Sequence, residues 1–249
     1  MRTQSASEVT VLPIDPPSAA ASRRALRTGT TVLLGGLIAE YVVTAFHASH
    51  EAPNDHQAVF AEYAASDNWI IVHFGQFAAG LLIIFGIVAL FRALQPAAGP
   101  SLLTRAGEGA AILTASVSAV LQGIDGIALK HAVDSLARVE PQMHQAAFHD
   151  TEIVRWIEWA MAGYFRITLG LTVVLVGLAV ARSRILPRWT APLAVLAGLA
   201  FITDGVDVST NGFTGATLAN LTSWVALILF AGSTAVAAWW GRNKTNPQS

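Results

Sequence analysis

The sequence predicts an all-α, polytopic integral membrane protein: a bundle of six transmembrane helices with both termini in the cytoplasm. Three observations carry that reading. Of the 249 residues, 53% are hydrophobic and only 12% charged, against about 25% charged in a soluble domain, so there is too little charge to solvate a surface on all sides. The apolar residues fall in six blocks, each long enough to cross about 30 Å of hydrocarbon at about 1.5 Å per helical residue. The basic residues alternate between connections as the positive-inside bias requires.

Taken in order, residues 1–27 are polar and proline-containing, without apolar periodicity, and read as a disordered cytoplasmic tail. They are too long and too mixed for the short basic region of a cleaved signal peptide. The membrane domain covers residues 28–242, with spans near 30–48, 69–91, 107–129, 154–180, 189–208 and 216–240. Helices are required because backbone in lipid must satisfy its own hydrogen bonds. Residues 243–249 form a short cytoplasmic tail.

Arg2, Arg23, Arg24 and Arg27 precede the first span, and Arg92 and Arg105 lie between the second and third. Arg182, Arg184 and Arg188 separate the fourth and fifth, and Arg242 and Lys244 follow the sixth. The alternate connections hold only Lys130 and Arg138, which places both ends on the cytoplasmic side of a cell (inner) membrane. Trp69, Trp156, Trp159, Trp189, Trp239 and Trp240 sit near predicted span ends, where interfacial anchors belong. The two long connections, 49–68 and 130–153, are then extracytoplasmic. In the second, Ala132, Val133, Leu136, Val139 and Met143 recur at helical spacing and predict an amphipathic helix on the membrane surface.

Several function classes fall away. A formal net charge of −1 gives no basic field for nucleic acid. The absence of cysteine removes disulfides, thiolate metal sites and cysteine nucleophiles. The partners left are the lipid bilayer and a small molecule.

The polar residues are placed unevenly. All seven histidines (His47, His50, His56, His73, His131, His144 and His149) fall on the extracytoplasmic side or in the outer ends of spans. The outer leaflet also holds Asp125, Glu158, Asp204 and Asp207, with Glu40 and Arg166 near the middle of their spans. Charge at the bilayer centre costs at least about 2.5 kcal/mol per residue, so such groups face the bundle interior or a wet cavity. Glu40 and His47 share a helix face, as do His73 and Gln76. Thr114, Ser118, Gln122 and Asp125 make one polar stripe, and Asp204 and Asp207 share a face. The expectation is a polar pocket open to the extracytoplasmic side, formed by Glu40, His47, His73, Gln122, Asp125, Glu158, Arg166, Asp204 and Asp207.

Its ligand would be a metal ion or a small amphiphile. His47, His50, His73 and His131 are the candidate metal ligands, although no His-Glu-x-x-His motif is present. Haem, which would need His73 with His47 or His131 as axial ligands, is disfavoured, because only His73 lies well inside a span. Acid–base chemistry at Glu40 or Asp125 competes with a structural pairing of a carboxylate with Arg166, and the pairing is the favoured reading. Asp125-Gly126 and Asp204-Gly205 read equally well as turns after a helix. Whether the chain is an enzyme stays open, and no catalytic residue is assigned. A small-molecule or proton-coupled transporter and a structural assembly partner are the alternatives.

Two stretches resemble an uncharacterised bacterial six-span family, domain of unknown function 4386. One runs Asn68-Trp69-Ile70-Ile71-Val72-His73-Phe74 into a glycine-rich span closing with Phe91-Arg92-Ala93-Leu94. The other is Leu186-Pro187-Arg188-Trp189, followed by Leu196-Ala197-Gly198-Leu199-Ala200. The resemblance implies a six-helix bundle and carries no activity.

Overall fold

A computed structural model describes residues 19–98, 101–183, 185–215 and 217–240. Among these the chain is all-helical, with no strand. The α-helices are α1 (Ala19–Thr44), α2 (His56–Ala65), α3 (Trp69–Ala98), α4 (Leu102–Gly123), α5 (Lys130–Leu136), α6 (His144–Ser183), α7 (Ala191–Asn211) and α8 (Leu218–Trp240). A π-helical turn, Ile124–Leu129, joins α4 to α5 without a break.

Five helical stretches are long and apolar enough to cross a membrane: Trp69–Gln95, Leu102–Leu136, Pro141–Ser183, Arg188–Asn211 and Leu218–Trp240. Their exposed faces carry large apolar side chains at mid-helix, such as Phe85, Ile112, Leu171 and Leu199, which suits lipid rather than water. The first predicted span is not among the five. Its helix, α1, is 26 residues long. Only twelve uncharged residues separate Arg27 from Glu40, about 18 Å of helix. Helix α1 nonetheless lies in the bundle, with Leu26, Leu33 and Leu37 buried in the main core beside Ile83, Ile87 and Leu90 of α3.

The predicted tail is corrected in part. Residues 19–27 are helical, because Ala-Ala-Ala-Ser-Arg-Arg-Ala-Leu-Arg is made mostly of good helix formers, which an apolar-block reading does not register. The rest of that tail, and the tail 243–249, lie outside the described residues.

The surface helix expected in 130–153 is also corrected. Helix α5 continues the α4 stack, and α6 runs for 40 residues from His144. No proline interrupts either run. Val133 and Leu136 are buried against Val59, Phe60 and Tyr63 of α2 and against α6, not laid on a bilayer. Nor are the Asp-Gly pairs turns: Asp125-Gly126 lies in the π-helical turn and Asp204-Gly205 lies inside α7.

Close helix contact uses some of the small residues. A Cβ on Gly36 would sit 2.7 Å from the Ile83 backbone N, and one on Gly205 would sit 2.7 Å from the Gly163 carbonyl. Gly35, Gly123 and Gly232 make no such contact, since a Cβ on any of them would meet nothing within 4 Å. The helices alternate in direction, so the starts of α1 and α4 and the ends of α3, α6 and α8 form an arginine-rich end. His47, Trp69 and His73, together with Asp125, gather at the other.

Candidate metal centre at the histidine-rich end

Three elements build this site. Helix α3 starts at Trp69, whose ring is 1% exposed and lies 4.0 Å from the Tyr63 ring of α2. One turn further on, His73 Nδ1 is 2.8 Å from the Trp69 carbonyl oxygen. A carbonyl only accepts, so Nδ1 carries the proton, and in the neutral ring Nε2 is left with its lone pair. A metal-binding histidine is oriented in the same way, by a backbone carbonyl behind it.

The second element is the π-helical turn. Such turns insert one residue into a helix and are frequent at functional sites. Here the turn carries Asp125. The Trp69 indole donates to the Asp125 carbonyl at 3.0 Å, fixing the turn against α3. Gly126 permits the approach, since a Cβ there would lie 2.5 Å from His73 Cβ. His73 Nε2 consequently stands 3.2 Å from Asp125 Oδ2.

His47, just beyond α1, is the third element. Its ring centroid is 5.1 Å from that of His73 and 4.8 Å from that of Trp69. One ligand atom each from His47, His73 and Asp125 lie within 4.8 Å of one another. His73 Nε2 and Asp125 Oδ1 are buried and have no hydrogen-bond partner. The His73–Asp125 contact is thus an ion-pair distance without hydrogen-bond alignment. Leaving such groups unsatisfied costs about 1–3 kcal/mol each. Two imidazoles and one carboxylate suit zinc and other first-row divalent ions. The 3.2 Å spacing already matches two ligands on one tetrahedral ion with bonds of about 2.0–2.2 Å. His47, on a loop, is the member that would close in.

Around the trio lie more candidates. Glu40 Oε1 accepts from Thr44 Oγ1 at 3.5 Å, and Gln76 donates to the same hydroxyl at 3.1 Å. Glu40 Oε2 and Gln122 Oε1 are buried without a hydrogen-bond partner. Glu158 is paired with Arg155 at 2.6 Å, both 2% exposed. That guanidinium also donates to the Pro53 carbonyl and lies over the Tyr63 and Phe213 rings.

Other predicted residues go elsewhere. Arg166 pairs with Asp204 at 2.8 Å, so the carboxylate that meets it comes from α7. Asp204 also accepts from Thr217 at 3.2 Å and Asn220 at 3.1 Å. Asp207 is bound by Asn211 and Thr214. His50 is drawn to Glu62 at 2.8 Å, and His131 is exposed on α5. Neither joins His47 and His73, because each sits on an element pointing away from them, and Asp125 takes the third place.

Trp69, Tyr63 and Arg155 build the site yet were not candidates. The one available signal was the Trp69-x-x-x-His73 spacing, which stacks the two side chains on one helix face. Helix α2 roofs this end. Lys130 donates to the last carbonyls of α2, Tyr63 at 3.0 Å and Ala64 at 2.9 Å. Burial pushes the Tyr63 phenol up, so it stays protonated. Burial also pushes the Glu62 carboxyl up, but donation from the His50 backbone, the His50 ring and the Glu51 backbone outweighs it and holds Glu62 below the usual range.

No family model matches the chain, and no curated protein or solved structure does either.

Proposed function

We propose that this chain is a multi-pass protein of a bacterial cell membrane that binds a divalent first-row metal ion through His47, His73 and Asp125. The observation behind this reading is the convergence of three ligand atoms within 4.8 Å, two of them on groups whose buried lone pairs have no hydrogen-bond partner. Two histidines and a carboxylate are the donor set of catalytic zinc and non-haem iron(II) sites. Three protein ligands leave at least one position for water or a small molecule.

In this reading α1 is a sixth span, both ends are cytoplasmic, and the metal lies near the extracytoplasmic surface. The arginine distribution supports that orientation. At about 39 Å, α1 is long enough, and Glu40 faces the site region instead of lipid. A transporter would need a polar path through the arginine-rich half. The continuous apolar core there, with Leu90, Phe91, Val176 and Phe230, favours a site over a path.

The test is elemental analysis of protein purified in mild detergent without a histidine tag. Wild type is expected to hold close to one zinc or iron per chain, and folded His47→Ala and Asp125→Asn proteins to hold little. Metal-free wild type that does not take up either ion when it is supplied would overturn the proposal.

A further inference from the structure

The metal site has an entrance on its membrane side. Between α3 and α4 lies a cleft of about 180 Å³ that reaches His73 and Gln122. Ile70, Phe74 and Ile127 line its mouth and are 39%, 54% and 39% exposed. These residues belong to two of the stretches able to cross a membrane, and their exposed apolar side chains suit a mouth that faces lipid. No Asp, Glu, Lys or Arg lines the cleft, so its walls offer an ionised head group no partner side chain. At its inner end stand two buried polar atoms without hydrogen-bond partners, Gln122 Oε1 and His73 Nε2.

Resting on the metal reading above, we propose that the substrate or ligand of this site is a neutral, membrane-dissolved amphiphile whose head is a hydroxyl or an amide. Such a head has an N–H or O–H to donate to Gln122 and an oxygen lone pair for the open metal position. Its apolar body occupies the cleft among Phe74, Phe77 and Ile127. A carboxylate or phosphate head could reach the metal but has no N–H or O–H to donate to Gln122 Oε1, whereas a hydroxyl or amide serves both.

Gly123 makes the idea testable. It lines the cleft, and a Cβ there meets nothing within 4 Å, so the side chain of Gly123→Leu starts in open space and is the first filling variant. Ala119→Leu, on the same wall, is the second variant should the first not fold. Protein in vesicles of phosphatidylcholine is irradiated with diazirine-bearing hexadecanol, and labelled peptides and metal content are both measured. The expected result is labelling at Phe74, Gly123 or Ile127, competed by unlabelled long-chain alcohol. Either filling variant should lower it about tenfold, the scale of an overpacked contact, with metal content unchanged. Labelling that ignores both variants, or that diazirine-bearing phosphatidylcholine reproduces equally, would overturn the proposal. The two readings fail separately: metal-free wild type that still labels in a Gly123-dependent way sinks the metal and keeps the cleft, whereas metal-replete protein without cleft labelling does the reverse.

Discussion

Two buried polar clusters lie in the same half of this bundle, and they are built on opposite principles. In one, Arg166 meets Asp204, and Thr217 and Asn220 donate to the remaining lone pairs of that carboxylate. In the other, His47, His73 and Asp125 turn acceptor atoms toward a common point, and two of the buried atoms have no hydrogen-bond partner. A saturated cluster is held by its own members and ties α6 to α7 and to the start of α8. In the second cluster His73 and Asp125 stand at ion-pair distance, yet His73 Nε2 and Asp125 Oδ1 are left without a hydrogen bond, and groups of this kind suit a cation. Burial and charge alone do not separate the two, whereas the count of satisfied lone pairs does.

The largest effect should come from breaking the saturated cluster. Asp204→Ala leaves the largely buried Arg166 charge without its carboxylate, which costs up to about 3–5 kcal/mol. Thermal unfolding in detergent should show this, while metal content in the surviving folded fraction stays near wild type. The mirror experiment is Asp125→Asn. Metal affinity should fall at least about 100-fold, since even outer-shell partners are worth about 10–100-fold. Zinc at about a hundredfold excess over its dissociation constant should stabilise wild type by about 2.7 kcal/mol and the variant hardly at all. If Asp204→Ala loses metal while Asp125→Asn keeps it, the assignment of the two clusters is reversed.

A finer test leaves every ligand in place. Gly126→Ala puts a Cβ 2.5 Å from His73 Cβ and should displace that ring, weakening metal about tenfold as a supporting-residue change does. Metal titration against a chelator would measure it. The smallest effect concerns the roof. Glu62 is held below its ordinary value by His50 and Glu51, so its contribution is fully present above the ordinary carboxylate range and is lost as pH falls through the depressed value. The His50 side of the pair is exposed, and the effect should stay under about 1 kcal/mol. The protection of the residue 47–55 amides, taken relative to the intrinsic exchange rate at each pH, should fall on acidification in wild type, and Glu62→Gln should show the lower protection already at neutral pH.

How much of this was legible in the sequence follows from which contacts are local. Long apolar blocks and single-helix spacing are local, so five membrane-length helices could be read, and His73, Gln122 and Asp125 could be placed on polar faces. Continuation beyond the apolar blocks could not. The run from His144 to Ile153 is helical although most of it is exposed, with Thr151 buried and Ala147 and Phe148 packed against the α2–α5 cluster, and hydropathy does not report that. The partner of Arg166 depended on how α6 meets α7, and the exclusion of His50 depended on Glu62 lying close to it. The π-helical turn that positions Asp125 has no sequence signature of its own, and it decides which carboxylate completes the trio.

The most direct test of the central claim is X-ray absorption at the metal edge of zinc-loaded protein in vesicles. The expected shell is two imidazole nitrogens and one carboxylate oxygen at about 2.0–2.2 Å, plus a further oxygen from water or ligand, with the imidazole scattering reduced in His47→Ala. A shell of oxygens alone, or imidazole scattering unchanged by His47→Ala, would contradict it.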